Sequence, residues 1–137
     1  MPKQYKVTKE GESYFLNGQK CESPAYGGTR TTYKCGRYAV KIARHTGQSE
    51  REFNRYQKLK SSKSPHIRYI AKVWAFGKIE TGESFIVMTH YKRARAPNDE
   101  DYDAVSMISR DLRIQDMRDG NFFITNCGRP KIVDFGL

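Results

Sequence analysis

Apolar residues in the first ninety positions arrive in short aromatic and β-branched runs broken by glycine, with one stretch of helical spacing between them. That order restricts the chain to a mixed α+β fold. Tyr14-Phe15-Leu16, Thr31-Thr32-Tyr33 and Tyr38 to Ile42 read as strands, separated by glycine turns at Gly27-Gly28 and Cys35-Gly36. Ser49-Glu50-Arg51-Glu52 has the spacing of a capping box, and Phe53, Tyr56 and Leu59 then fall on one helical face, so a helix is expected from about Ser49 to Lys60. Ile70 to Gly77 and Ser84 to Thr89 follow as a hairpin turning at Thr81-Gly82-Glu83. The order is three strands, one helix, two strands.

After Thr89 the composition shifts to a basic connector, His90 to Pro97, ending at Asn98-Asp99, which suits a helix N-terminus. A second unit is expected there, dividing the chain into residues 1–89 and 90–137. Tyr102, Val105, Ile108 and Leu112 recur at helical spacing, and Phe122 to Thr125 and Lys131 to Val133 read as two short strands joined by Asn126-Cys127-Gly128-Arg129.

With 137 residues and 37% hydrophobic composition the chain can bury a core, which argues against disorder. A net charge of +10 favours anionic partners: nucleotides, nucleic acid or an acidic protein surface. No run of about 18 apolar residues is present, and Met1 to Lys9 lacks the apolar stretch of a secretory signal, so a cytoplasmic location away from membranes is expected. Cys21, Cys35 and Cys127 are an odd set without CxxC spacing and read as reduced thiols, and His45, His66 and His90 stand singly rather than at ligand spacing.

The stretch richest in chemistry lies at the C-terminal end, where Asp116-Met117-Arg118-Asp119-Gly120-Asn121 is followed by Asp134-Phe135-Gly136. Phosphoryl transfer needs a carboxylate near the attacking hydroxyl and oxygen ligands that hold Mg²⁺ against the phosphates. An Asp, an Asn five positions on and an Asp-Phe-Gly beyond one hairpin supply those groups. Read blandly, Asp-Gly-Asn is turn chemistry and Asp-Phe-Gly a strand end. The order and separation resemble the catalytic loop and metal-binding motif of protein kinases. The resemblance implies Asp116 as catalytic base, Asn121 and Asp134 as magnesium ligands, and Arg118 where the family usually has a phosphate-contacting Lys. Upstream, Tyr38-Ala39-Val40-Lys41-Ile42 is similar to the strand whose Lys contacts the α and β phosphates. Glu52 is then the helix carboxylate that pairs with Lys41, with Glu50 a second candidate; the competing reading is that Glu52 only closes the capping box. Gly27 and Gly28 occupy the place of the phosphate-covering loop, and Thr89 to Tyr91 that of the hinge whose backbone bonds adenine.

What the resemblance implies is a protein-kinase-like N-lobe, an antiparallel five-stranded sheet plus one helix, followed by a minimal, truncated C-lobe of one helix, catalytic loop and short hairpin. The implied activity is transfer of the ATP γ-phosphate, with Mg²⁺, to a Ser or Thr of a protein, either this chain or another. Three departures qualify it. Gly27-Gly28 lacks the family's spaced glycines, Ile114-Gln115 replaces the usual His-Arg before the catalytic Asp, and Leu137 directly follows Asp-Phe-Gly. The form of the catalytic loop is similar to that of bacteriophage-encoded and other atypical kinases, which implies a viral origin and a host protein target. Missing helical cover beyond Asp134 would leave apolar surface for a second copy or a partner to bury, making a homodimer an expectation. Two alternatives belong to other classes. One is a kinase-derived binding protein that inhibits a host enzyme without catalysis. The other is nonspecific nucleic-acid binding through Lys58, Lys60, Lys63, Lys92, Arg93 and Arg95, which read more simply as solvated helix ends and connector.

Overall fold

The computed structural model describes residues 4–26, 30–114, 121–133 and 135. They form two compact units, one of Met1–Phe53 with Lys72–His90, the other of Asn54–Ala71 with Tyr91–Leu137. The architecture is α+β, with antiparallel sheets and two α-helices among the described residues.

The first unit opens with a three-stranded meander, β1 (Val7–Glu10), β2 (Ser13–Leu16) and β3 (Gln19–Lys20). A five-stranded sheet follows, built from β4 (Glu22–Tyr26), β5 (Thr31–Cys35), β6 (Tyr38–Ala43), β7 (Val73–Lys78) and β8 (Ser84–Thr89) in the order β4-β5-β6-β8-β7. The expectation that Tyr14-Phe15-Leu16 supplies a strand of this sheet is corrected: it belongs to the meander, and Glu22–Tyr26 takes the outer place beside β5. The displaced run still serves the core, because Leu16 packs in one buried cluster with Val7, Cys35, Val40, Phe85 and Val87. Strand β8 is buried at five of its six positions, since it lies between β6 and β7 and is covered on both faces. A tight turn at Gly36, with φ of 60°, joins β5 to β6 and pairs Cys35 with Tyr38. At Gly77 a Cβ would stand 3.0 Å from the Phe85 ring, so a side chain there requires the ring to give by a few tenths of an ångström.

Helix α1 (Gly47–Ser61) begins two residues earlier than its sequence signal. The Thr46 carbonyl accepts from the Glu50 amide at 2.8 Å, which places Ser49 inside the first turn instead of ahead of it. The capping box expected at Ser49 and Glu52 is therefore not the start of this helix. Strand β7 likewise starts at Val73, later than the expected Ile70, because Ile70 and Ala71 are committed to the second unit.

In the second unit a 3₁₀ turn, Pro65–Tyr69, is capped by the Ser64 side chain, which accepts from the His66 amide. Helix α2 (Asp99–Leu112) carries a reciprocal cap: Asn98 Oδ1 accepts from the Asp101 amide, and the Asp101 carboxylate accepts from the Asn98 amide. Strands β9 (Phe122–Ile124) and β10 (Pro130–Ile132) form the expected hairpin. Its inward residues Phe122, Ile124 and Ile132 are buried, as are Ile70, Val105, Ile108 and Phe135. The Ala71 amide donates to the Ile132 carbonyl at 2.9 Å and the Ala94 amide to the Ile124 carbonyl at 2.8 Å, so chain segments on either side of the first unit's last hairpin meet at β9 and β10.

Candidate functional site

Strand pairing decides which side chains share a face. Thr32 lies directly opposite Lys41 in the β5–β6 ladder, and with side chains alternating along each strand, Arg30, Thr32 and Lys41 fall on the same side of the sheet. Helix α1 delivers Glu52 to that face. Lys41 Nζ stands 3.6 Å from Glu52 Oε2, while Arg30 Nη1 stands 2.5 Å from Glu52 Oε1 and 3.4 Å from Ser49 Oγ. One carboxylate thus divides its two oxygens between two cations. All three side chains are withdrawn from water: Glu52 is 0% exposed, Arg30 6% and Lys41 8%. An ionised carboxylate at such depth is tolerable only when opposite charge and hydrogen bonds replace its hydration, and removing one partner of such a pair costs about 3–5 kcal/mol. Glu52 is therefore a core element of the fold as well as a candidate site residue.

Arg30 was not among the residues the sequence singled out. A single Arg after a glycine pair carries no motif, and its approach to Lys41 follows only from the β5–β6 register. The register rests on the length of the Gly36 turn, so the one available signal was the strand phase counted back from that turn.

The remaining candidate residues are distributed as follows. Thr89 ends β8; its amide donates to the Lys72 carbonyl at 2.9 Å, and its hydroxyl accepts from Trp74 Nε1 at 2.9 Å. The next amide, of His90, donates to the Arg37 carbonyl at 2.8 Å. Tyr91 opens the second stretch of the second unit, with Lys131 Nζ 5.4 Å from its ring centre. Asn121 is half-buried, and its carbonyl accepts from the Val133 amide at 2.8 Å, closing the hairpin of β9 and β10 at its open end. Gly27, Gly28, Asp116, Arg118 and Asp134 lie outside the described residues. The first unit therefore brings together Lys41 and Glu52, and the second holds Asn121.

No protein-family model matches the sequence, and no curated protein matches it. Solved structures do. The chain is similar to the bifunctional kinase-methyltransferase WbdD at 14% identity and a TM-score of 0.58, over 86% of this chain and 34% of that one. A co-crystal structure of WbdD with the kinase inhibitor LY294002 gives 14% identity and a TM-score of 0.52, over 89% and 33%. The fold is kinase-like. At this identity the likeness speaks for the fold alone, and the chain spans about a third of the length of the structures it matches. Among the described residues no helix is long and apolar enough to cross a membrane.

Proposed function

We propose that the chain binds ATP with Mg²⁺ and transfers the γ-phosphate to a protein Ser or Thr. The observation that carries this reading is the buried pair of Lys41 on β6 and Glu52 on α1 within a kinase-like fold. A lysine on a mid-sheet strand is ordinarily solvated; here 8% of its side chain is exposed and its ammonium is oriented by a carboxylate. In that role Glu52 holds Lys41 toward the α and β phosphates, and Arg30 supplies a second counter-charge to the carboxylate. By the resemblance, Gly27 and Gly28 cover the phosphates with backbone amides, Thr89 and Tyr91 line the adenine edge, Asp116 accepts the proton of the attacking hydroxyl, and Arg118 offsets phosphate charge. The oxygen donors Asn121 and Asp134 suit a hard divalent ion, and bound Mg²⁺ would neutralise charge on the transferring phosphate.

Incubation with γ-labelled ATP, Mg²⁺ and either the chain alone or a mixed protein substrate tests this reading, with Lys41→Ala and Asp134→Ala as controls. Label transferred by the wild type and lost in both variants is the expected result. Equal labelling in all three, or no labelling together with no nucleotide binding, would overturn it. A second reading, a kinase-derived binding protein without catalysis, is favoured by one observation: Glu52 lies closer to Arg30 than to Lys41, as suits a carboxylate kept for structure. Nucleotide binding without transfer to any substrate would select that alternative.

A further inference from the structure

Two of the three cysteines meet inside the first unit. In the β4–β5 ladder Glu22 is paired with Lys34, both of them exposed, and one step further along the same register sets Cys21 opposite Cys35. Alternation turns this next pair inward. Cys21 is 7% exposed and Cys35 1%, both lie in the same apolar cluster, and Cys35 Sγ donates to the Gln19 carbonyl at 3.4 Å. Directly opposed residues of an antiparallel ladder have Cα atoms about 4.5–5.5 Å apart, inside the range of about 4.4–6.8 Å that a disulfide spans. Cysteines that merely fill a core have no need to face one another across a ladder.

We propose that Cys21 and Cys35 are a covalent modification site, forming a reversible disulfide that closes the base of the β4–β5 hairpin when a small disulfide oxidant is present. The thiolate of one cysteine attacks the oxidant RSSR, forming a mixed disulfide and expelling RS⁻. The second thiolate attacks the protein sulfur of that mixed disulfide, forming the Cys21–Cys35 bond and expelling the other RS⁻. Two protons and two electrons leave the protein, and two RSH are produced. The ring encloses the residues between the two cysteines, including the β4 to β5 connection that leads to Arg30 and so to Glu52. Burial pushes the Cys21 thiol up to about 12, so the exchange is slow and belongs to sustained oxidation rather than to rapid signalling.

The test uses the full chain carrying Cys127→Ser, which removes the exposed thiol. The protein is incubated with hydroxyethyl disulfide at mildly alkaline pH, unfolded, alkylated and mapped by peptide mass. The expected result is one reducible peptide pair joining Cys21 to Cys35, monomeric on a non-reducing gel, with a melting midpoint raised by about 5 °C or more and restored by a reductant. Both thiols remaining open to alkylation, or only mixed and intermolecular disulfides, would overturn the proposal. Cys35→Ala should leave Cys21 as a mixed disulfide alone; if that variant does not fold, the map of the Cys127→Ser protein decides by itself.

Discussion

Each unit contains a carboxylate held by an arginine, and the two pairs work differently. In the first, Glu52 is wholly buried between Arg30 and Lys41. In the second, Asp101 receives Arg95 at 2.6 Å, but the arginine side chain is 43% exposed and water competes for it. Distance barely separates them; access to solvent does. Glu52 without its cations must be desolvated for nothing, whereas Asp101, itself largely buried, keeps the Asn98 amide as a partner when the half-exposed Arg95 turns to water. The ion pair of the second unit is therefore a helix-end adornment on a cap that stands without it, while that of the first is part of the core.

Ranked by expected effect, several substitutions put that contrast at risk. Glu52→Ala should cost the largest amount, about 3–5 kcal/mol in urea unfolding, because Arg30 and Lys41 both lose the buried carboxylate they share. A loss under about 1 kcal/mol would show that water reaches the cluster and would erase the distinction between the units. Next comes Arg30→Ala, expected at about 1.5–3 kcal/mol, since Lys41 still partners Glu52. Lys41→Met sharpens the division of labour: with Arg30 holding the carboxylate, stability should fall less than in Arg30→Ala, while nucleotide affinity falls about tenfold or more. In the second unit, Asn98→Ala removes the cap of α2 at about 1 kcal/mol. The smallest effect is the pH dependence of Asp101. Arg95, and then the Asn98 amide, hold its carboxyl below the usual carboxylate range. A depressed folded value means that this stabilisation is fully present above about pH 4, the unfolded value, and is lost as pH falls through the folded one. Unfolding midpoints of the wild type and Asp101→Asn should therefore converge in acid, and 1 M salt should shrink their neutral-pH gap.

Local chemistry made much of this molecule readable. Asn98 followed by three acidic residues and an apolar face has one good solution, and α2 starts where that pattern places it. Val40, Ile42, Phe85 and Val87 alternate or run as central strands do, and Thr81-Gly82-Glu83 turns the last hairpin of the first unit, with Gly82 at φ of 90°. The errors arose where distant parts of the chain decide the outcome. Tyr14-Phe15-Leu16 has strand propensity, but which sheet receives it depends on β1 and β3, and β3 is only two residues long. Ser49 and Glu52 have the spacing of a cap, yet Glu52 is taken by cations from β6 and from the approach to β5, an attraction that leaves no local trace. Ile70 is apolar and β-branched like a strand residue, but bridges Ile132 more than sixty positions away. For the candidate site, residue types were legible and neighbourhood was not: Lys41 and Glu52 could be named from motifs, whereas Arg30 needed the register.

That register hangs on the short connection at Gly36. Since successive residues of a strand point to opposite sides and β6 is also held in phase by β8, one residue gained or lost in this connection would carry Arg30 to the far side of the sheet from Lys41 and Glu52 without altering any residue of the cluster. For the heredity of such a chain, changes of length at this corner are more dangerous than changes of letter: a library of single substitutions there should be largely permissive apart from Gly36 itself, and a library of single-codon insertions almost empty of survivors.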